Sequence, residues 1–299
     1  MSKIITTEKY DHRRKYYMVL DCETATLPIA SDYPADQKKK IAIAKPLIYD
    51  LGWQIIDKKG NVYARKNFLV TEIFSVPEIF NTAYYASKRP IYIQKLRNHE
   101  IILSTWLQAT EELEKDLHSV EAVGAYNSMF DFKKAIPFTE RYISHLYSDD
   151  FQKWVAKQNT ICNGIALGTI PTTPKGFNPD VFTYRGEDFP LFDLWGLSCK
   201  HILDDDEYRT ACIKGGWKTE SGKYFKTSAE TTFRFVTGED DFDEAHTAVD
   251  DAEIESEIFA KIMKKSKNKV EIGIEYFPFR ILGTVESFLV DHPELVSYI

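Results

Sequence analysis

Four carboxylates and one histidine are the residues of this sequence whose types and spacing could do chemistry. They are Asp21, Glu23, Asp131, His246 and Asp251. If the fold collects them, the carboxylate oxygens would form a ligand set for two hard divalent cations, and the imidazole would stand beside it as a base. A site of that kind is suited to the hydrolysis of phosphodiester bonds, because paired cations can hold both the attacking and the leaving oxygen.

The first two carboxylates, Asp21 and Glu23, follow an apolar run that we predict to be a buried strand over 16–22. Residues i and i+2 of a strand point to the same face, about 7 Å apart. Two like charges in that position would repel each other unless a cation lay between them. The same spacing recurs twice further along the chain, so on its own the pair is equally compatible with a solvated acidic turn. Cys22 is predicted to point the other way, into the core.

The third carboxylate, Asp131, closes the segment 127–131, which follows a predicted strand over 120–126. An aspartate at the start of a helix is ordinary, because the helix N-terminus favours negative charge. That explanation does not account for the predicted strand at 120–126. This strand should place Asp131 at the same edge of the sheet as Asp21. Ligands of α/β proteins gather at such carboxyl ends of strands.

His246 and Asp251 are the most informative pair. A helix predicted over 250–264 has an apolar face that includes Asp251, which is a poor position for an uncompensated charge. A bound cation would resolve that conflict, and the five-residue offset places His246 nearby. The helical period places Asp250 toward solvent. We assign surface or structural roles to the remaining histidines, which are His12, His99, His118, His145, His201 and His292.

Three short motifs then occur in order: D-x-E-T at 21–24, N-x-x-F-D at 127–131 and H-x-A-x-x-D-A at 246–252. In this order and spacing the chain resembles the DEDD-type 3′–5′ exonucleases of the RNase H-like superfamily, in the histidine-bearing (DEDDh) subgroup. The resemblance spans roughly residues 16–264. It implies an α/β fold with a mixed five-stranded sheet flanked by helices, together with insertions and a C-terminal extension.

The resemblance also implies roles for individual residues. The four carboxylates would bind two Mg²⁺ or Mn²⁺ ions, and His246 would accept the proton of the attacking water. Residues implied to contact the substrate are Thr24, Ala25, Leu27, Asn127 and Phe130. Backbone near Thr24 and Ala25 would meet the terminal 3′-hydroxyl, and Leu27 would wedge between the last two bases. Core packing is an equal alternative for Leu27 and Phe130.

The function implied is release of nucleoside 5′-monophosphates from single-stranded 3′ ends, with DNA favoured over RNA. One alternative is an RNA trimmer similar to oligoribonuclease or RNase T. Another is a catalytically idle module that binds nucleic acid or a replication protein. A phage or bacterial replication system would suit such an enzyme, and the oligomeric state is left open.

Composition limits these possibilities. The net charge of −7 argues against a broad grip on duplex DNA, although the four carboxylates supply more than half of it. No apolar run approaches a membrane span of roughly 18 residues, and the first residues lack the apolar core of a secretory signal. The four cysteines include no C-x-x-C pair, so we expect free, mostly buried thiols and a cytoplasmic protein.

The elements that must position these residues are predicted as follows. The exonuclease-like domain covers 16–264, between a polar arm at 1–15 and an extension at 265–299. Strands are expected at 47–57 and 62–70, joined by a turn, and helices at 102–118 and 129–146, where Pro137 must cap, kink or interrupt the second helix. Insertions are expected near 25–46, which we read as a long loop, near 160–190, which we read as a lid, and near 213–226, which we read as a small hairpin.

Overall fold

A mixed β-sheet runs through the centre of the chain. In the computed structural model of the protein, the described residues are 11, 13–28, 33–171, 178–239, 241–242 and 246–299. Within them, the strands are β1 (Tyr16–Ala25), β2 (Leu47–Asp57), β3 (Val62–Val70), β4 (Ile102–Ser104), β5 (Ala122–Ala125), β6 (Val181–Tyr184) and β7 (Glu187–Asp193). The seven strands pair in the order β4-β3-β2-β1-β5-β7-β6.

The predicted strands at 47–57 and 62–70 are confirmed with their boundaries, and β1, β2 and β3 form an antiparallel meander. The connecting turn is held by Asp57, whose Oδ1 accepts hydrogen bonds from the backbone N–H groups of Lys59 and Asn61 at 2.8 and 3.1 Å. On the other side of β1, β5 and then β7 run parallel to it. The sheet therefore presents the carboxyl ends of β1, β5 and β7 at one edge.

The α/β class with flanking helices is confirmed, whereas the predicted count of five strands is wrong for the sheet as a whole. Two short strands extend it. At one edge β4 pairs in parallel with β3, and at the other β6 pairs antiparallel with β7. Three- and four-residue strands carry too few residues for period-2 alternation to separate them from loops.

Helices cover both faces of the sheet. The α-helices are α1 (Ala35–Ala44), α2 (Thr71–Phe74), α3 (Pro77–Phe80), α4 (Arg89–Arg97), α5 (Trp106–Leu117), α6 (Ser128–Phe130), α7 (Ile136–Leu146), α8 (Phe151–Ala166), α9 (Leu194–Ser198), α10 (Asp206–Gly215), α11 (Ala229–Thr237), α12 (Ala248–Lys265) and α13 (Val285–Asp291). Segments Asp131–Ala135 and Cys199–Leu203 are π-helical, and Ala86–Lys88, Pro278–Leu282 and Pro293–Tyr298 are 3₁₀-helical.

Successive side chains of β1 point to opposite faces of the sheet, and each face is covered by its own hydrophobic core. Met18 and Leu20 belong to the first core, which α2 to α5, α7 and α8 help to build. Tyr17 and Val19 belong to the second core, which includes α9, α10, α12 and α13. All four side chains are 5% exposed or less. Because the alternation continues, the next odd-numbered residue of β1 is Asp21, on the face covered by α12.

Several sequence predictions need correction. The segment 25–46, read as a loop, contains α1. The helix predicted from 102 begins at Trp106, because 102–104 pair with β3 and Thr105 forms a capping box with Gln108. By contrast, the expectation that Pro137 caps, kinks or interrupts the helix at 129–146 is confirmed, because a π-helical segment ends at Ala135 and α7 begins at Ile136 with Pro137 in its first turn.

The segments predicted as insertions hold regular structure. Residues 160–166 end α8, and β6 with β7 form a hairpin within 181–193, while 172–177 lie outside the described residues. Near 213–226 an antiparallel bridge between Lys218 and Phe225 closes a short hairpin-like loop. Of the C-terminal residues, Leu282, Val285, Phe288 and Leu295 pack into the second core. A helix with both the length and the apolar character needed to cross a membrane is not found among the described residues.

Candidate active site

Asp21 and Glu23 lie at the carboxyl end of β1, on the face toward α12. The pairing of β1 with β2 shifts register between Glu23 and Thr24, so a bulge ends the regular ladder directly after the two carboxylates. Bulges are common beside active sites because they re-aim the side chains next to them. Asp21 pairs with Gly52 of β2. The carboxylates of Asp21 and Glu23 line the same pocket.

The start of α12 is fixed against β2 by backbone contacts. Asp50, a buried residue of β2, accepts a hydrogen bond from the Ala248 N–H at 2.9 Å. A Cβ atom added at Gly52 would lie only 2.4 Å from the Val249 nitrogen, so the helix packs directly on the strand. His246 has a left-handed backbone with φ 54°, and its carbonyl accepts a hydrogen bond from the Tyr92 hydroxyl at 3.1 Å. These contacts place His246 and Asp251 opposite the end of β1.

Asp131 reaches the same place from β5. After β5 the chain turns through Asn127, which has φ 76°, and the Ser128 N–H donates to Asp193 at 2.9 Å. Asp131 begins the π-helical segment and is 2% exposed. The Cys22 thiol donates to its Oδ1 at 2.8 Å. Cys22 is therefore buried as predicted, but it also contacts a site carboxylate, which the sequence did not indicate.

The five predicted residues converge on one pocket of about 250 Å³. Ligand atoms of Glu23, His246 and Asp251 all lie within 4.8 Å of one another, and His246 Nδ1 is 3.9 Å from Asp251 Oδ2. The remaining residues of the pocket lining are Asp21, Cys22, Tyr85, Tyr126, Asn127, Phe130, Asp131, Ala229 and Glu255. Segments more than a hundred residues apart thus contribute to one concave, acidic surface.

Burial and mutual repulsion set the protonation of these carboxylates. Burial, followed by the charges of Glu255, Asp131, Asp251 and Glu23, raises the pKa of Asp21 well above its usual range. Burial also raises the pKa of Asp131 to about 7, although the Cys22 hydrogen bond acts in the opposite direction. Crowded carboxylates of this kind resist full ionisation until positive charge is placed among them.

The predicted position of Asp250 is wrong. Its side chain is half-buried rather than turned to solvent, and it forms ion pairs with Arg65 at 2.7 Å and with Lys95. Thr247 Oγ1 donates to the same carboxylate at 2.7 Å. The helical period identified the outer face of α12 correctly, but β3 and α4 cover part of that face.

Four further residues of the pocket lining are not among those predicted from the sequence, and they are Tyr85, Tyr126, Ala229 and Glu255. Glu255 lies one helical turn after Asp251 and is 3% exposed, so the argument that singled out Asp251, a charge on an apolar helix face, applies equally to it. Tyr85 stacks on His246, with ring centroids 4.1 Å apart and planes at 14°. Nothing in the local sequence around Tyr85 or Tyr126 indicates that they line this pocket.

The residues predicted to contact substrate occupy different environments. Asn127 and Phe130 line the pocket. Thr24 is half-buried at the bulge, while Ala25 and Leu27 are 1% and 6% exposed and belong to the first core. Their substrate contacts remain predictions.

Comparison with known proteins adds no identification: no protein-family model, no curated protein and no solved structure matches this chain.

Proposed function

We propose that this protein is a divalent-metal-dependent 3′–5′ exonuclease of the RNase H-like, DEDDh type. The observation that carries the proposal is the convergence of Asp21, Glu23, Asp131, His246 and Asp251 on one pocket. The three motifs are defined by sequence alone, and a chance resemblance would have no reason to bring their side chains together. The mixed sheet is compatible with this assignment when its edge strands β4 and β6 are counted as additions.

The donor set supports divalent cations as the cofactor. Carboxylate oxygens are the preferred ligands of hard ions such as Mg²⁺ and Mn²⁺. Among the described residues, Cys22 is the one cysteine in the pocket lining, and its thiol donates a hydrogen bond to Asp131. The carboxylates of Asp21, Glu23, Asp131 and Asp251 would hold the ions. Positive charge there would counter both the burial and the like-charge repulsion that together raise the pKa of Asp21. When bound, two such ions would supply Lewis-acid activation and neutralise charge on the scissile phosphate.

The protein's own residues would orient the substrate and move the proton. The imidazole of His246 is partly exposed to the pocket, and it is fixed by the Tyr85 ring and by the hydrogen bond of Tyr92 to its carbonyl. It is therefore placed to accept the proton of an attacking water as the phosphodiester bond breaks. The products would be a nucleoside 5′-monophosphate and a strand with a new 3′-hydroxyl.

The pocket surroundings favour a short, unpaired nucleic-acid end over a duplex. The net charge of −7 gives no broad electrostatic attraction for phosphate. Beside the pocket, Tyr84 is 90% exposed and packs edge-on against Tyr85, with centroids 4.8 Å apart. Exposed aromatic rings stack on unpaired bases without reading their sequence. We propose single-stranded DNA as the preferred substrate, with short RNA as the alternative.

The test is a cleavage assay on 5′-labelled single-stranded DNA. The control substrates are the same DNA strand with a blocked 3′ end and an RNA strand of the same sequence. We expect a ladder shortened from the 3′ end in Mg²⁺ or Mn²⁺, none in EDTA, and none with D21N or D251N. H246Q should retain only a small residual rate. E257Q is the matched control, because Glu257 lies exposed on the same helix as Asp251. Full activity in D21N or D251N would contradict the proposal, and binding without cleavage by the wild-type protein would favour an idle module.

A further inference from the structure

Glu255 has the position of a site residue although none of the three motifs includes it. It lies on α12 one turn after Asp251, is 3% exposed, and lines the pocket with the other four carboxylates. Its Oε2 accepts a hydrogen bond from the Tyr126 N–H at 3.0 Å, directly after β5. A glutamate is almost never buried to this extent unless its charge is compensated.

Resting on the function proposed above, we infer that Glu255 is a fifth carboxylate of the cation site, which increases the affinity of the pocket for divalent ions. The hydrogen bond from Tyr126 fixes one oxygen of this carboxylate. The carboxylate is thereby held at the pocket rather than withdrawn into the second core.

The charges in the pocket support this role. Glu255 lines the same pocket as Asp21, Glu23, Asp131 and Asp251, so its negative charge adds to theirs. Five carboxylates can carry one more negative charge than two divalent ions can neutralise. Repulsion among the five carboxylates destabilises the metal-free protein, and bound cations would relieve that repulsion.

The competing explanation is purely structural: Glu255 would only accept the Tyr126 N–H and so connect α12 to the end of β5. Glutamine separates the two explanations, because its amide oxygen can accept the same hydrogen bond while the charge is lost. Glu257 provides the matched control, since E257Q makes the same change on the exposed face of the same helix.

The experiment titrates Mn²⁺ into the full-length protein by calorimetry and measures thermal unfolding in EDTA and in Mn²⁺. For E255Q we expect Mn²⁺ affinity to fall about tenfold or more, as is typical when a supporting group of a metal site is removed. In EDTA, E255Q should unfold at a higher temperature than the wild type, because one of several crowded like charges is gone. E257Q should match the wild type in both measurements.

An E255Q protein that binds Mn²⁺ as tightly as the wild type would overturn the inference, as would a lower unfolding temperature in EDTA. If E255Q does not fold, E255D replaces it: the shorter side chain withdraws the carboxylate, so unchanged Mn²⁺ affinity would also overturn the inference. Failure of the proposed function looks different, since the wild-type protein itself would then cleave no DNA in Mn²⁺.

Discussion

The ring of Tyr85 lies flat against the imidazole of His246, with centroids 4.1 Å apart and planes at 14°. Such a stack restricts rotation of the imidazole about its side-chain bonds. His246 already has a left-handed backbone and a carbonyl held by Tyr92, so both ends of the residue are fixed. This degree of constraint is expected where a base must meet a water molecule in one orientation.

Removal of the stacked ring should therefore slow the reaction more than it weakens substrate binding. We expect Y85A to lower kcat on the order of tenfold to a hundredfold, since small displacements of a catalytic group have effects of that size. Y85F keeps the ring and should stay close to wild type. Steady-state kinetics on single-stranded DNA provide the measurement.

The neighbouring Y84A is the control for that experiment. Tyr84 is exposed and does not stack on His246, so its loss should raise KM and leave kcat nearly unchanged. Equal loss of kcat in Y84A and Y85A would show that the two rings act only as a binding surface.

The buried carboxylate of Asp131 predicts an unusual dependence of stability on pH in the absence of metal. Its pKa is raised to about 7 from an ordinary value of 3.8, so between these values the folded protein binds more protons than the unfolded chain. Stability should accordingly fall as pH rises from about 4 to 7, by a few kcal/mol. D131N should remove much of this slope.

Urea unfolding in EDTA across that pH range measures the effect, and Mg²⁺ serves as the second arm. Cation binding to the ionised carboxylates should restore stability at neutral pH in the wild type and less so in D131N. A wild-type protein whose metal-free stability is flat from pH 4 to 7 would contradict the assignment of a buried, proton-binding Asp131.

The contact between β2 and α12 predicts a strong effect of a single methyl group. In G52A the added Cβ would meet the Val249 nitrogen at 2.4 Å, and a backbone atom cannot rotate away. We expect α12 to shift, with a loss of about 1 to 3 kcal/mol in the free energy of unfolding. Activity should fall further than stability alone explains, since α12 carries Asp251.

Gly164 offers a matched control for the glycine substitution. It lies in α8, away from the pocket, and a Cβ there would meet only side-chain atoms, which are Cδ1 and Cγ1 of the exposed Ile170 at 2.6 and 2.9 Å and Oγ1 of Thr169 at 3.2 Å. G164A should be neutral or slightly stabilising, because alanine favours a helix over glycine. Chemical denaturation and the cleavage assay, applied to both variants, separate a local clash from a general intolerance of alanine.

Those parts of the fold that have a strong periodic or apolar sequence pattern are predictable from the sequence. The runs that form β2 and β3 are long enough to define their ends, and Asp251 stood out because its helix face is otherwise apolar. Glu255 carries the same signal one turn later and could have been found by the same argument. Tyr85 could not, because its relation to His246 depends on how two distant segments pack.

The environment of Asp250 cannot be predicted from the helical period alone. The helical period places this residue outside the core, but the period does not reveal that Arg65 and Lys95 cover that side. Burial acts to raise its pKa, but the hydrogen bonds from Lys95 and Thr247 outweigh burial, so the pKa of Asp250 lies below its ordinary value. A depressed carboxyl pKa stabilises the fold above the unfolded value of 3.8, and that stabilisation is lost as pH falls through the folded pKa.

D250N should consequently destabilise the protein at neutral pH by about 1 to 3 kcal/mol, because hydrogen bonds to a charged, half-buried group are lost. The difference from wild type should shrink as pH falls below about 4, where the wild-type carboxylate also protonates. Glu253 forms an ion pair with the same Arg65 at 3.3 Å, but its side chain is 54% exposed, so E253Q should cost less than about 1 kcal/mol. Urea unfolding at neutral and acidic pH tests both variants, and equal costs for D250N and E253Q would mean that Asp250 does not anchor the start of α12 to β3 and α4.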